Sequence, residues 1–301
     1  MAEEPDPFQH TRMTLGEHLR ELRTRLFRGV LALFAAFLVA FYFYEPIFDI
    51  AARPMNMVLQ EVDLEQRAKY EAILAEERKT DPTVPRTKYF QTEDPANNAL
   101  QDKFTIPQRM TLVGVGDGFT SIMRVVVIAA LLFGMPVFLW QMWQFVAAGL
   151  YPKERRAILL YFPISVVLFL AGALFGYFVM CPFGFRYMVT MLKPEKVQYI
   201  ASVSPYLDWL QAVTLALGLV FELPLLMYAL VKLDLVQRKS FVRFRPYFIL
   251  VAFIVGGILT PPDPITQFLA AGPMILLYEV GLLWTWFLPK PKEIVLEEPA
   301  K

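Results

Sequence analysis

Cysteine is almost missing from this chain. Cys181 stands alone among 301 residues, so neither an intrachain disulfide nor a cysteine-built metal cluster can form. Histidine is nearly as scarce, and both copies, His10 and His18, fall in the N-terminal segment, which disfavours Ser-His hydrolase chemistry. No HExxH string, phosphate-cradling glycine loop or dinucleotide fingerprint occurs, so zinc-protease and nucleotide chemistry lack their usual signatures. No cofactor, metal site or nucleic-acid partner is therefore expected. Charge of one sign is also lacking, since the formal sum is only +1. The stretch up to Arg12 is polar and acidic and has no apolar segment ending in a small-residue cleavage site, so no removable signal peptide is expected. No internal repeat is visible, which weighs against inverted-repeat transporters. Gly114-Val115-Gly116-Asp117 matches the GxGD string of intramembrane aspartyl proteases, but no apolar run supplies the second aspartate, so the match reads as chance.

What the chain has is apolar bulk. A hydrophobic fraction of 56%, a mean hydropathy of +0.43 and 26 phenylalanines describe an all-α polytopic membrane protein. Leu15, Leu19, Leu22 and Leu26 recur at helical spacing, so an amphipathic helix is expected within a cytoplasmic tail, residues 1–26. A membrane domain over residues 27–288 follows, then a second cytoplasmic tail, 289–301. The first span is expected from Phe27 to Tyr44, ended by Glu45-Pro46. From Phe48 to about Gly118 the chain is mostly polar, with a charged helical piece from Val58 to Lys79 and an extramembrane insert over about 59–108. Further spans are expected over Phe119 to Phe145, Ala157 to Met180 (closed by Cys181-Pro182) and Tyr206 to Val231 (opened by Ser204-Pro205). Tyr247 to Leu259 and Ile265 to Leu288 complete six. The fifth run, about 13 residues, is too short by itself to look like a crossing. Basic residues on both flanks of the last pair nevertheless require an even number of crossings.

Arginine and lysine crowd one side. Arg12, Arg20, Arg23, Arg25 and Arg28 precede the first span, Lys153, Arg155 and Arg156 fill an elbow, and Arg238, Lys239, Arg243 and Arg245 lie in a later connection. By the positive-inside rule both termini and the elbow are cytoplasmic.

Glu21 and Glu154 have ordinary roles open to them: Glu21 can pair with Arg25 at i,i+4, and Glu154 follows Pro152 where an acid complements a helix dipole. Alternatively the two carboxylates receive a cationic ligand, each accepting a guanidinium through paired hydrogen bonds worth about 1.5 to 3 kcal/mol each. Glu222 is harder to assign to structure alone. An ionised acid at mid-span costs about 2.5 to 3.5 kcal/mol, so it is protonated, paired or facing a polar cavity. Pro224 also deprives the Val220 carbonyl of its donor, making the helix locally polar and bent. Glu279 lies nearer the cytoplasmic end and can reach water. Asp263 reads as N-cap of the last helix, with Pro264 at its first position.

Several stretches together resemble the TatC family, the six-span receptor subunit of the twin-arginine protein translocase. They are His18-Leu19-Arg20-Glu21-Leu22-Arg23-Thr24-Arg25-Leu26, Arg53-Pro54, the run Trp143 to Arg156, Phe221-Glu222-Leu223-Pro224, Arg245-Pro246-Tyr247 and Leu259-Thr260-Pro261-Pro262-Asp263. The likeness runs from about Leu15 to Leu288, and the insert of about 59–108 exceeds the usual first outer loop. The resemblance implies a concave, cup-like bundle with two short final spans in a bacterial-type inner membrane. It implies that Glu21 and Glu154 meet the paired arginines of signal peptides, with Arg23, Phe145 and Leu150 shaping the site. It further implies that Pro54 and Asp263 matter on the outer side. Glu222 and Gln267 would be polar features of the concave face and of docking surfaces for the single-span partners TatA and TatB. A non-enzymatic receptor, self-associating and driven by the proton-motive force, is the function so implied. The rival is a proton-coupled small-solute transporter using Glu222 and Glu279.

Overall fold

The computed structural model describes residues 15–84, 110–150, 155, 159–191, 201–260 and 264–288. It is helical throughout; the one β-type pairing among the described residues is a bridge between Thr111 and Ser202. The helices are α1 (Leu15–Tyr42), α2 (Tyr44–Thr80), α3 (Asp117–Ala148), α4 (Tyr161–Phe175), α5 (Cys181–Met191), α6 (Val203–Phe221), α7 (Leu223–Lys232), α8 (Arg238–Leu259) and α9 (Pro264–Trp286). Among the described residues six helical stretches are long and apolar enough to cross a membrane, and the last two, of 22 and 23 residues, are the shortest.

Several boundaries differ from the expectation, among them that of the fifth span, which is the 22-residue α8 beginning at Arg238 and not a run of about 13 residues. The amphipathic turn and the first span form one continuous helix, because nothing between Leu15 and Tyr42 removes a backbone donor. Glu45-Pro46 does not end that stretch. The break falls at Phe43, and Pro46 sits in the first turn of α2, where its missing N–H has no intrahelical partner to lose. The polar region is largely this 37-residue helix rather than a short piece beginning at Val58. Cys181-Pro182 does not close the third span either: a π-helical turn, Gly176–Met180, joins α4 to α5. There the Cys181 N–H reaches back to the Gly176 carbonyl, and this widened turn absorbs the donor that Pro182 lacks.

The chain divides into two compact units. One comprises the residues up to Arg25, Met142–Gly172 and those from Leu217 onward; the other comprises Leu26–Gln141 and Ala173–Ala216.

In the second unit small residues let helices approach closely. A Cβ on Gly29 would meet the Phe138 ring at 2.8 Å, and one on Gly134 would meet Leu33 at 2.8 Å, so α1 and α3 cross backbone to side chain. Ala40, Val126 and Ala129 are buried beside this crossing. The apolar side of α2, from Ala51 and Met55 through Leu59 and Val62, is also buried. Its charged side is fastened to α5, where Arg186 donates to Glu61 and, at 2.6 Å, to Glu65. Arg124 pairs with Asp208 at 2.6 Å and donates to Ser204, so it is bound within the protein. The GxGD string is a turn: Asp117 accepts from the Gly114 N–H at 2.6 Å.

In the first unit α7, α8 and α9 share a core of Met227, Phe248, Ala252, Ala271, Met274, Tyr278 and Leu282. A Cβ on Gly281 would lie 2.7 Å from the Met227 sulfur. Such clearances are set by glycine alone.

Candidate functional site

The N-terminal face of α1 and the end of α3 meet within the first unit. His18 and Glu21 are three residues apart and share a helix face. The His18 ring stacks on Phe145, with centroids 4.4 Å apart and planes at 26°. Gly149, one turn beyond Phe145, makes room, since a Cβ there would stand 3.2 Å from His18 Cε1. Glu21 is half-buried and accepts from Arg25 Nε at 2.7 Å, so the i,i+4 pair allowed by the sequence is formed. An i,i+4 helix pair of this kind contributes about 0.3 to 0.5 kcal/mol, leaving Glu21 able to exchange partners at small cost. Arg23 is exposed and lies well round the helix from His18. Glu154 and Asp263 fall outside the described residues.

Both stems of the elbow are anchored. Leu150 packs against a buried cluster of Trp143, Ala147, Tyr161, Leu225 and Ala229. Trp143, near the end of α3, meets Tyr161, at the start of α4, edge to face at 5.9 Å. Lys232 donates to the Tyr161 hydroxyl at 2.6 Å while its ammonium lies 5.3 Å from that ring and 5.7 Å from Tyr228. The hydrogen bond and the ring electrons both favour a cation there.

A polar locus lies deeper in the same unit. A Cβ on Gly172 would come 2.4 Å from the Leu217 carbonyl, and one on Gly218 would come 2.7 Å from Phe169, so α4 and α6 nearly touch. That approach brings Ser165 to Glu222, and the serine donates to Oε2 at 2.7 Å. Glu222 is only 5% exposed and occupies the break between α6 and α7, two residues before Pro224. Its Oε1 has no hydrogen-bond partner among the described residues. Glu279 differs, because Arg245 donates to it at 2.7 Å.

Gln267 of α9 donates to the Phe253 carbonyl of α8 at 2.9 Å, tying the last two helices together. In the second unit, Pro54 lies buried inside α2 and supplies no N–H to the Ile50 carbonyl four residues earlier. Tyr177 donates to that carbonyl at 2.5 Å, and Tyr206 donates to the next one, Ala51.

The family described as Sec-independent protein translocase protein (TatC) matches residues 17–273. The chain belongs to the TatC family. TatC of Desulforapulum autotrophicum is 29% identical over 299 residues, covering 99% of this chain and 91% of the relative. TatC of Azotobacter chroococcum is 32% identical over 286 residues, covering 94% and 92%. A crystal structure of the twin arginine translocase receptor TatC in DDM superimposes with a TM-score of 0.67 at 27% identity, covering 89% of this chain and 98% of that one. As a TatC-family protein this is a multi-pass membrane component of a protein translocase.

Sequence reasoning missed His18, Ser165 and the Tyr161–Lys232 pair as parts of these TatC loci. His18 was legible in principle, since it precedes Glu21 by three residues. Ser165 was not: nothing in an apolar run tells which serine will face an acid 57 positions away.

Proposed function

We propose that this chain is the receptor core of a twin-arginine translocase in a bacterial-type cytoplasmic membrane, with both termini and the elbow at the cytoplasmic face. It binds the signal peptides of folded precursors there and assembles TatA- and TatB-type single-span partners, with the proton-motive force driving export. It performs no catalysis of its own. The observation that carries this reading is the His18–Phe145 stack, which joins the helix face bearing Glu21 to the end of α3 that leads into the elbow.

In this reading Glu21 releases Arg25 and, with Glu154, accepts the guanidinium groups of the ligand. The exchange replaces a part-buried internal pair by charge-assisted, forked hydrogen bonds, and a fork requires arginine rather than lysine. Phe145 and Leu150 form the apolar floor beside it, and Arg23 lies at its margin. Glu222 and Gln267 belong to docking surfaces for partner helices, while Pro54 and Asp263 act on the outer side. Copies of the receptor self-associate in the assembled complex. Engagement of Glu279 by Arg245 weighs against a proton-carrier role for that acid.

Crosslinking of a twin-arginine signal peptide to the membrane-embedded chain tests the assignment. Glu21→Ala and Glu154→Ala are each expected to lower crosslinking about tenfold or more, from bonds worth about 1.5 to 3 kcal/mol. Replacing both peptide arginines by lysine should do the same. Undiminished crosslinking in the Glu154 variant would sink the proposal.

A further inference from the structure

The first turns of α8 carry cations of two kinds. Arg238 and Arg245 are engaged within the protein: the Arg238 guanidinium lies 5.9 Å from the Trp286 ring, and Arg245 pairs with Glu279. Lys239 and Arg243 have no carboxylate partner among the described residues. They are four residues apart on α8, so their like charges face the same side and repel. Both line a cavity of about 320 Å³ together with Gln237, Ser240, Phe244 and Tyr247. The amide and hydroxyl add neutral donors, and the Phe244 and Tyr247 rings stack 6.0 Å apart.

We propose that this cavity at the start of α8 binds the phosphate headgroup of an anionic phospholipid. Two uncompensated cations on one face need a counter-anion, and a phosphodiester offers oxygens to both together with the hydroxyl of Ser240. The occupant is a lipid rather than a free anion because the cavity runs into an apolar stripe. Tyr247, Leu250, Val251, Ile254 and Ile258 recur at three- and four-residue spacing along α8, and all are exposed. The opposite side, with Phe248, Ala252 and Gly256, is the one buried. A charged head in the cavity and acyl chains along the stripe satisfy both features with one molecule. The site is separate from the Glu21 rim and does not depend on the signal-peptide reading.

The test uses the purified full chain in zwitterionic detergent, titrated with short-chain phosphatidylglycerol and with bound lipid counted by native mass spectrometry. Saturable binding of one lipid is expected, weakened about tenfold or more in a Lys239→Gln/Arg243→Gln variant, given the contribution of each basic residue near a lipid surface. Lys69→Gln/Lys79→Gln removes the same charge from α2 and should leave binding unchanged. Lys239 and Arg243 are exposed, so the variant should keep its helical circular dichroism and unfolding midpoint. Should it unfold early, Lys239→Arg/Arg243→Lys serves instead and should retain binding. Equal occupancy in the Gln variant, equal binding of phosphatidylcholine, loss of binding with the charge-conserving variant, or displacement by equimolar inorganic phosphate overturns the proposal.

Discussion

Prolines fall beside polar groups in two helical stretches, one in each unit, and the two sites accommodate the missing donor differently. At Pro54 the orphaned Ile50 carbonyl and its neighbour Ala51 each receive a tyrosine hydroxyl, from Tyr177 and Tyr206. At Pro224 the helix breaks outright and an acid occupies the gap. One oxygen of Glu222 is bonded to Ser165, while the other has no partner among the described residues. A main-chain carbonyl deprived of its helical donor gains about 0.5 to 1.5 kcal/mol from a replacement donor, so the pairing at Pro54 is accounted for by architecture alone. Retaining half-paired polarity at Glu222 has no such structural return. The contrast sets a fully paired support at Pro54 against a buried acid at Glu222 that the described residues pair only in part.

The largest expected effect comes from breaking the paired side. Tyr177→Phe/Tyr206→Phe removes both hydroxyl donors and leaves the Ile50 carbonyl with neither a helical nor a side-chain donor, and at about 0.5 to 1.5 kcal/mol per hydrogen bond the double variant should lose about 1 to 3 kcal/mol. Thermal unfolding in detergent measures it, and a loss no larger than that of a surface substitution would remove the tyrosines from this account. Next, Gly172→Ala pushes a methyl into the Leu217 carbonyl and should destabilise by about 1 to 3 kcal/mol, separating Ser165 from Glu222. The same melt reads the first consequence, and cysteine crosslinking between positions 165 and 222 reads the second.

Glu222→Leu sharpens the comparison most directly. Removing both the acid and its need for partners should change stability by less than about 1.5 kcal/mol in either direction, yet abolish export of a twin-arginine precursor and copurification of single-span partners. Export at the unmodified rate would make Glu222 a second structural notch. The smallest effect belongs to the rim: Arg25→Gln should alter stability by less than about 1 kcal/mol while tightening signal-peptide crosslinking, because Glu21 loses its internal competitor.

Most of the membrane pattern could be read from composition and run length, because apolar spans announce themselves. The long α2 could not. Its exposed charges, including Glu61, Glu65 and Lys69, obscured the buried stripe of Ala51, Met55, Leu59 and Val62, within which Pro54 falls. The helix continues through it because two phenols reach in from positions more than a hundred residues distant, which no local spacing foretells. Proline logic failed at Pro182, where a π turn supplied the relief. The family likeness singled out Glu21 and Phe145, and the helix face bearing Glu21 meets Phe145 through His18, whereas the close approach of Gly149 depends on the flat histidine above it.

The π turn at Gly176–Met180 holds one residue more than the α turn it replaces. Excising one position would close it to an ordinary α turn, leave Arg186 facing Glu61 and Glu65, and set the Pro182 ring against the carbonyl four residues before it. The cost of such a deletion should therefore fall on the proline and not on the ion pairs, a surplus residue serving here as slack.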